Sequence, residues 1–484
     1  KIPIIIFILL LFMSSKNRKT TNPRKTNKAK NDSDHSTKVP DIYASHGNSE
    51  RENSSFKNIS ALVLMIIMPN LVMILTYVVQ KCNSSFLEFF LRVYRKPFIN
   101  LFQEIWIIKE LDIKFGIFTI FAYSLFALLL MILVPGKPCK GSLTPKGNRP
   151  IYKDNGFACY ILSLLSFTIL DYYLTTWKEL SLSIIYVKFP SILACLSVFS
   201  LGFCLLLYLK GVLFPNCPDR AFSGYLFFDY YWGVEMHPRI RGIDLKVFTN
   251  CRFGLTVWAL LILCYLKHSF ETGNLHGGLI VNSVLQLLYL TKFFWWEAGY
   301  YNTMDINVDH AGFYICWGCI VYVPSMYTLS SYHMATYTNE MSQIYYFGIF
   351  TLGIFCLIIN YWADYQKQIV RLKNGNCTIW NKPAKIIEAE YVDLNGAKKR
   401  SILLINGFWG LARHFHYLPE LLLAFCWCAA SGFNYLIPFS YFIFLLLLLV
   451  HRVRRDDIKC TLKYGKYYQK YKTLVPWKII PHIY

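Results

Sequence analysis

Residues Ala61–Gln80 read ALVLMIIMPNLVMILTYVVQ, twenty positions without one charged side chain. Crossing about 30 Å of hydrocarbon takes about 20 apolar residues in a helix, because lipid offers backbone N–H and C=O groups no partner. This run predicts a transmembrane helix. Working outward toward the C-terminus, Phe115–Val134, Phe157–Leu174, Ser191–Leu209 and Tyr346–Tyr361 repeat the signal. Gly254–Leu266, Gly278–Phe294 and Phe313–Leu329 give weaker versions. The last apolar block, Leu418–Val450, is long enough for a hairpin of two spans broken near Gly432–Pro438. The expected fold class is therefore all-α, a polytopic membrane helix bundle of about ten transmembrane helices.

Composition agrees. The 484 residues are 55% hydrophobic and only 16% charged, yet 50 Lys+Arg against 28 Asp+Glu give a net charge of +22. A soluble chain this apolar would need more surface charge, and disorder is excluded for most of it. The excess is concentrated: ten basic residues in 14–60, five in 135–156, nine in 362–417 and nine in 451–484. With ten spans all four segments lie on one side, and the positive-inside rule makes that side cytosolic, with both termini there. The charge thus serves orientation and anionic lipid headgroups, and no nucleic acid is needed to explain it. The 17% aromatic content fits interfacial belts.

Upstream of Ala61 the apolar run Lys1–Met13 is too short to span, and no small-residue cleavage site follows it. We expect Met13 to be the start, with 1–12 an upstream extension of the gene model, and 14–60 to be a disordered basic tail. The chain then divides into 1–60, a bundle over 61–361 with an apolar cavity, and a C-terminal portion over 362–484. Asn83-Ser84-Ser85 is a glycosylation sequon in a loop expected on the opposite side. Cys316 and Cys319 have CxxC spacing but no second pair, and buried cysteine usually packs as a small hydrophobe, so no metal is expected.

Charged groups inside apolar spans normally face a cavity or a partner. Asp171 lies within the third run, and Lys292, Glu297, Asp305, Asp309 and His310 lie around the sixth and seventh. Asp305 and Asp309, spaced i,i+4, are expected on one helix face with His310 beside them, as a proton-donor network, a structural polar plug or, less favoured for want of more histidines at ligand spacing, a metal site. Further on, Lys367 and Arg371 are also one turn apart, and turn signals stand at Asn374-Gly375 and Asn395-Gly396. A strand-like run, SILLI, leads into GFWGLARHFHY over 407–417. In HRVRRDDIKCTLKYGKYYQKY over 451–471, Asp456, Cys460 and Lys463 share a helix face and Gly465 is a stop. Cations, aromatics and a carboxylate brought together in this way suit a nucleotide, whereas basic interfacial segments on lipid are the plainer alternative. Neither GxGxxG nor GxxxxGK[ST] occurs.

GFWGLARHFHY, the tail HRVRRDDIKCTLKYGKYYQKYKTLVPWKIIPHIY and FDYYWGVEMHPR over 228–239 resemble the signatures of the sterol reductase family. The likeness runs from about residue 225 to the end and more loosely from about 60. GFWG, and Trp380, Lys382-Pro383, Ile386, Ala389 and Tyr391, look like the branch that reduces the C7–C8 double bond of 5,7-diene sterols. The resemblance implies an NADPH-dependent enzyme of sterol biosynthesis in the endoplasmic reticulum membrane. Its sterol would come from the bilayer, and other enzymes of the route could be partners. It implies cofactor contacts at Lys367, Arg371, Leu404, Trp409, His416, Tyr417, Asp456, Cys460, Thr461, Leu462, Lys463, Tyr464 and Tyr471. The proton donor is then sought among Asp456, Tyr417, Asp305, Asp309 and His310. His416 and His237 stand where the family has Asn, Asp364 where Asn is usual, and Tyr468 where Trp is usual. Three alternatives stay open at this point: a C14 sterol reductase, a methyltransferase using S-adenosylmethionine, and a sterol-binding protein that has lost catalysis.

Overall fold

A computed structural model describes residues 51–106, 112–144, 148–392 and 398–484. The expected tail up to residue 50, the start at Met13 and the Asn395-Gly396 turn lie outside the described residues. The first helix, α1 (Arg51–Lys81), begins ten residues ahead of the apolar run, so 51–60 is helix and not tail. Helices α2 (Ile113–Leu133), α3 (Gly156–Lys178), α4 (Ile184–Leu213), α5 (Leu245–Glu271), α6 (Gly277–Trp295), α7 (Phe313–Met334) and α8 (Gln343–Leu372) follow. A short α9 (Tyr417–Ala429), a long α10 (Ser440–Tyr464) and α11 (Lys466–Leu474) complete the chain.

Among the described residues nine helices are long and apolar enough to cross a membrane, and α9 is not one of them. The hairpin expected over Leu418–Val450 is therefore unequal. Its first arm has 13 residues, a rise of about 20 Å, while its second runs fourteen residues past Val450. Periodicity could not show this, because the apolar block is continuous through the break.

Burial orders the bundle. In α5 and α7, 72% and 83% of the apolar stretch is enclosed, against 17% in α2 and α3, so the first pair is central and the second faces lipid. Both central helices contain wide π-turns, at Phe248–Leu255 and Phe313–Tyr327, and they touch where Gly254 has no side chain. A Cβ at Gly254 would lie 2.5 Å from the Cys319 carbonyl oxygen. Cys316 and Cys319 are buried here, and the Thr249 hydroxyl points to the Cys316 sulfur at 3.8 Å. Small antiparallel hairpins decorate one end: β1 (Lys137–Lys140) with β2 (Ile151–Asp154), and β3 (Ile386–Val392) with β4 (Lys398–Leu404). The described parts of 135–156, 362–417 and 451–484 all emerge at this end, and Asn83 sits in a turn at the other.

One ion pair is fully enclosed. Arg252 on α5 meets both carboxylate oxygens of Glu297, and it donates to the Asn155 amide oxygen at 2.9 Å. The Tyr301 hydroxyl adds a bond to Glu297 at 3.0 Å. Gly156 makes the room, since a Cβ there would fall within 2.7 Å of three Glu297 atoms. Replacing Arg252 by Met leaves a buried carboxylate unpaired and is expected to cost about 3–5 kcal/mol, whereas Arg252→Met with Glu297→Gln should recover most of it. Thermal unfolding of the two variants in detergent checks this; equal midpoints for single and double would refute it.

Candidate active site

Helix α8 supplies the frame. In its C-terminal part Asn360, Ala363, Gln366 and Val370 are buried, spaced to keep one face inward. The Ala363 carbonyl accepts the Trp409 indole N–H at 2.7 Å, and Gln366 Oε1 accepts the Phe408 amide at 3.0 Å. These bonds seat the Gly407-Phe408-Trp409-Gly410 turn on α8. Gly407 is required there: its φ is +63°, and a Cβ would sit 2.4 Å from Gln366 Oε1. The seated Trp409 ring lies under the Lys367 ammonium, 4.1 Å from its centroid. Among the described residues no carboxylate forms an ion pair with Lys367. Leu404, at the end of β4, packs under the same ring with Val370 and Ile379.

Beyond the turn the chain goes inward. The His416 ring lies 5.0 Å from Trp409 and 4.2 Å from Tyr417. Its carbonyl accepts the Asn360 amide at 2.9 Å, and Asn360 Oδ1 accepts from Lys292 at 2.7 Å. His416 Nδ1 is buried without a partner among the described residues. The His414 ring stacks on Tyr417 at 5.5 Å and 10°, with Nε2 3.6 Å from Asp456 Oδ2. Cys460, one turn along α10, points its sulfur at the same oxygen at 3.6 Å. Position along α8 measures depth. From exposed Arg371 down to Asn360, level with His416, is eleven residues or about 16 Å.

Helices α10 and α11 close the other side. Gly465, at φ +48°, turns the chain back, so the Tyr471 hydroxyl reaches the Trp409 carbonyl at 3.3 Å. Tyr464 bonds the Ser401 hydroxyl at 3.2 Å, and Lys463 lies over the Tyr391 ring at 4.2 Å. Thr461 donates to the Asp457 carbonyl at 2.7 Å, whereas Leu462 is half exposed and faces away. Arg413 donates to the carbonyls of Val475 and Pro476 at 2.8 and 3.0 Å and lies 3.7 Å from Asp457. Thus Lys367, Leu404, Trp409, His416, Tyr417, Asp456, Cys460 and Tyr471 line one continuous wall. Arg371 stands at its rim.

The second predicted cluster differs from its expected form. The helix at Met304–Asn307 ends before Asp309, so Asp305 and Asp309 do not share a helix face. Each instead pairs with an arginine of α10: Asp305 with Arg452 at 2.5 Å, and Asp309 with Arg455. His310 is turned away from them, its Nδ1 2.9 Å from the Gly233 carbonyl oxygen. His237, at the unusual position in His-Pro-Arg, is buried; its Nδ1 is 3.2 Å from the Tyr152 hydroxyl, and burial drives its pKa down to about 2. Sequence reading missed His414, and it missed Arg452 and Arg455 as partners. The i,i+3 arginines facing two aspartates four apart were a usable signal; nothing in the sequence singled out His414 from its neighbours.

The family model described as "Ergosterol biosynthesis ERG4/ERG24 family" matches residues 49–484. The chain belongs to the ERG4/ERG24 family. Among ERG4/ERG24-type relatives, a protein of Arabidopsis thaliana named 7-dehydrocholesterol reductase is 45% identical over 369 residues, covering 75% of this chain and 84% of the relative. One of Xenopus laevis with the same name is 34% identical over 385 residues, 78% and 81% of the two chains. A Delta(14)-sterol reductase of Methylotuvimicrobium alcaliphilum is 32% identical over 359 residues, 73% and 80%. The wall described above therefore belongs to a multi-pass membrane protein of a sterol reductase family.

Burial pulls the His414 imidazole down to about 4, an effect the Asp456 carboxylate only partly offsets. The unfolded side chain titrates near 6.5, so the unfolded state binds the extra proton between the two values. The stabilising contribution is complete above about 6.5 and is lost as pH falls toward 4. His414→Gln is expected to reduce the acid-side slope of stability by about one proton, or about 1.4 kcal/mol per pH unit. Unfolding midpoints of wild type and variant across pH 4–7 check it; parallel curves would count against it.

Proposed function

We propose that the protein is an NADPH-dependent sterol reductase that reduces the C7–C8 double bond of a 5,7-diene sterol in the endoplasmic reticulum membrane. The observation that carries this reading is Lys367: a cation that forms no ion pair with any described carboxylate, held on a buried tryptophan at the mouth of a wall that descends to Tyr417 and Asp456. The residues fit the cofactor. Lys367 and Arg371 would hold phosphates, Trp409 and Tyr471 would flank a nucleotide, and the orphaned His416 Nδ1 offers one more polar contact. Bound NADPH supplies a hydride, and the protein must supply position, a proton and exclusion of water.

The residues divide that work. Asp305 and Asp309 are each engaged by an arginine of α10, so they are assigned to anchoring that helix. Tyr417 and Asp456, joined through His414, stand at the deep end of the wall and are placed to deliver the proton. Neutral His414 would connect the Tyr417 ring to the Asp456 carboxylate without adding charge. The substrate, an apolar sterol, would enter from lipid, and the basic segments would put this end in the cytosol.

The greater identity to the Arabidopsis relative favours C7–C8 over C14 reduction, and the 32% relative keeps C14 as the second reading. Membranes carrying the protein, supplied with NADPH, are incubated separately with 7-dehydrocholesterol and with an 8,14-diene sterol. Saturation of the C7–C8 bond is expected; reduction of the 8,14-diene alone, or of neither, would overturn the reading. Loss of one charge-assisted contact is worth about 1.5–3 kcal/mol, so Lys367→Met should raise the KM for NADPH about 10–100-fold. Asp456→Ala should instead lower kcat, and retained turnover would remove Asp456 as the donor.

A further inference from the structure

Lys246, at the start of α5, is 0% exposed. Its ammonium forms no ion pair with any described carboxylate. Its three donors go to three backbone carbonyls: Met236 at 3.4 Å, Ile306 at 2.9 Å and Asp309. Those carbonyls come from two separate loops, the one carrying His237-Pro238-Arg239 and the one carrying Asp305 to His310. Taking a cation out of water costs several kcal/mol unless its donors are all satisfied, and convergence of three carbonyls achieves that here.

The consequence reaches the pocket through one segment. The backbone that Lys246 pins at Ile306 and Asp309 is the backbone whose side chains, Asp305 and Asp309, grip Arg452 and Arg455. Arg452 is one helical turn before Asp456, and Arg455 adjoins it. We propose that Lys246 is a positioning residue that sets the placement of Asp456, and with it the proton-donating end of the site, without touching cofactor or substrate. This rests on the reductase reading of the pocket.

The test separates placement from cofactor binding. In purified full-length protein, Lys246→Met is expected to lower kcat about tenfold or more while the Kd for NADPH, read by quenching of tryptophan fluorescence, changes less than about twofold. Arg455→Gln, on a side chain that is only partly buried, is expected to give the same split. If Lys246→Met is not recovered as folded, monodisperse protein, Arg455→Gln decides alone. Wild-type kcat in both variants, or equal loss of kcat and NADPH affinity, would overturn the proposal. A wild type that reduces no sterol with NADPH would sink the reductase reading instead, so the two failures are distinct.

Discussion

Two arginines on α10 face two carboxylates from the loop between α6 and α7, and the functional end of the molecule hangs on that pairing. An apolar bundle cannot leave charges at its boundary uncompensated, and attraction is strong where water is scarce. The pairing fixes how α10 leaves the bundle. From there its rigid rise sets the places of Asp456, Cys460 and Tyr464, and Gly465 turns the chain so that α11 returns to Trp409.

The same boundary explains the short α9. A full-length arm would carry Tyr417 to the end of α8, out among the hairpins. With 13 residues, α9 instead ends level with Asn360, and the chain before it must descend along α8 to meet it. That descent is the Gly407–His416 segment, fastened by Gln366 and the Ala363 carbonyl. The wall so formed is charged at its rim and aromatic below, and it ends on a tyrosine and a carboxylate. That gradient is what the proposed nucleotide cofactor would require.

Elsewhere one group of buried polar side chains is bonded together. Asn282, Gln286, Ser330, Ser331 and the Trp258 indole form a hydrogen-bonded set between α5, α6 and α7, and Asn282 extends it to the Trp427 carbonyl of α9. Such networks fix helix register in a medium where apolar contacts alone discriminate weakly. Central α5 and α7 approach closely at Gly254, while lipid-facing α2 and α3 carry no comparable network, consistent with their 17% burial.

Sequence alone determined the class of fold, because the length of each apolar run is dictated by bilayer thickness. It determined which residues of 362–484 belong together, because their spacing resembles a family signature, and it placed the stop at Gly465. The apolar half of β4, Ser401–Leu404, was legible as well, whereas its basic start at Lys398–Arg400 was not. Only tertiary structure decided the rest. Whether Leu418–Val450 made two equal spans depended on packing against α8, since α9 is bonded there at both ends, through Ala429 and His416. Which cations Asp305 and Asp309 face was set by the fold, since their arginines lie nearly 150 residues away in the chain. His414 and Lys246 acquired their partners in the same way: a side chain's chemistry is local, but its partners are set by the fold.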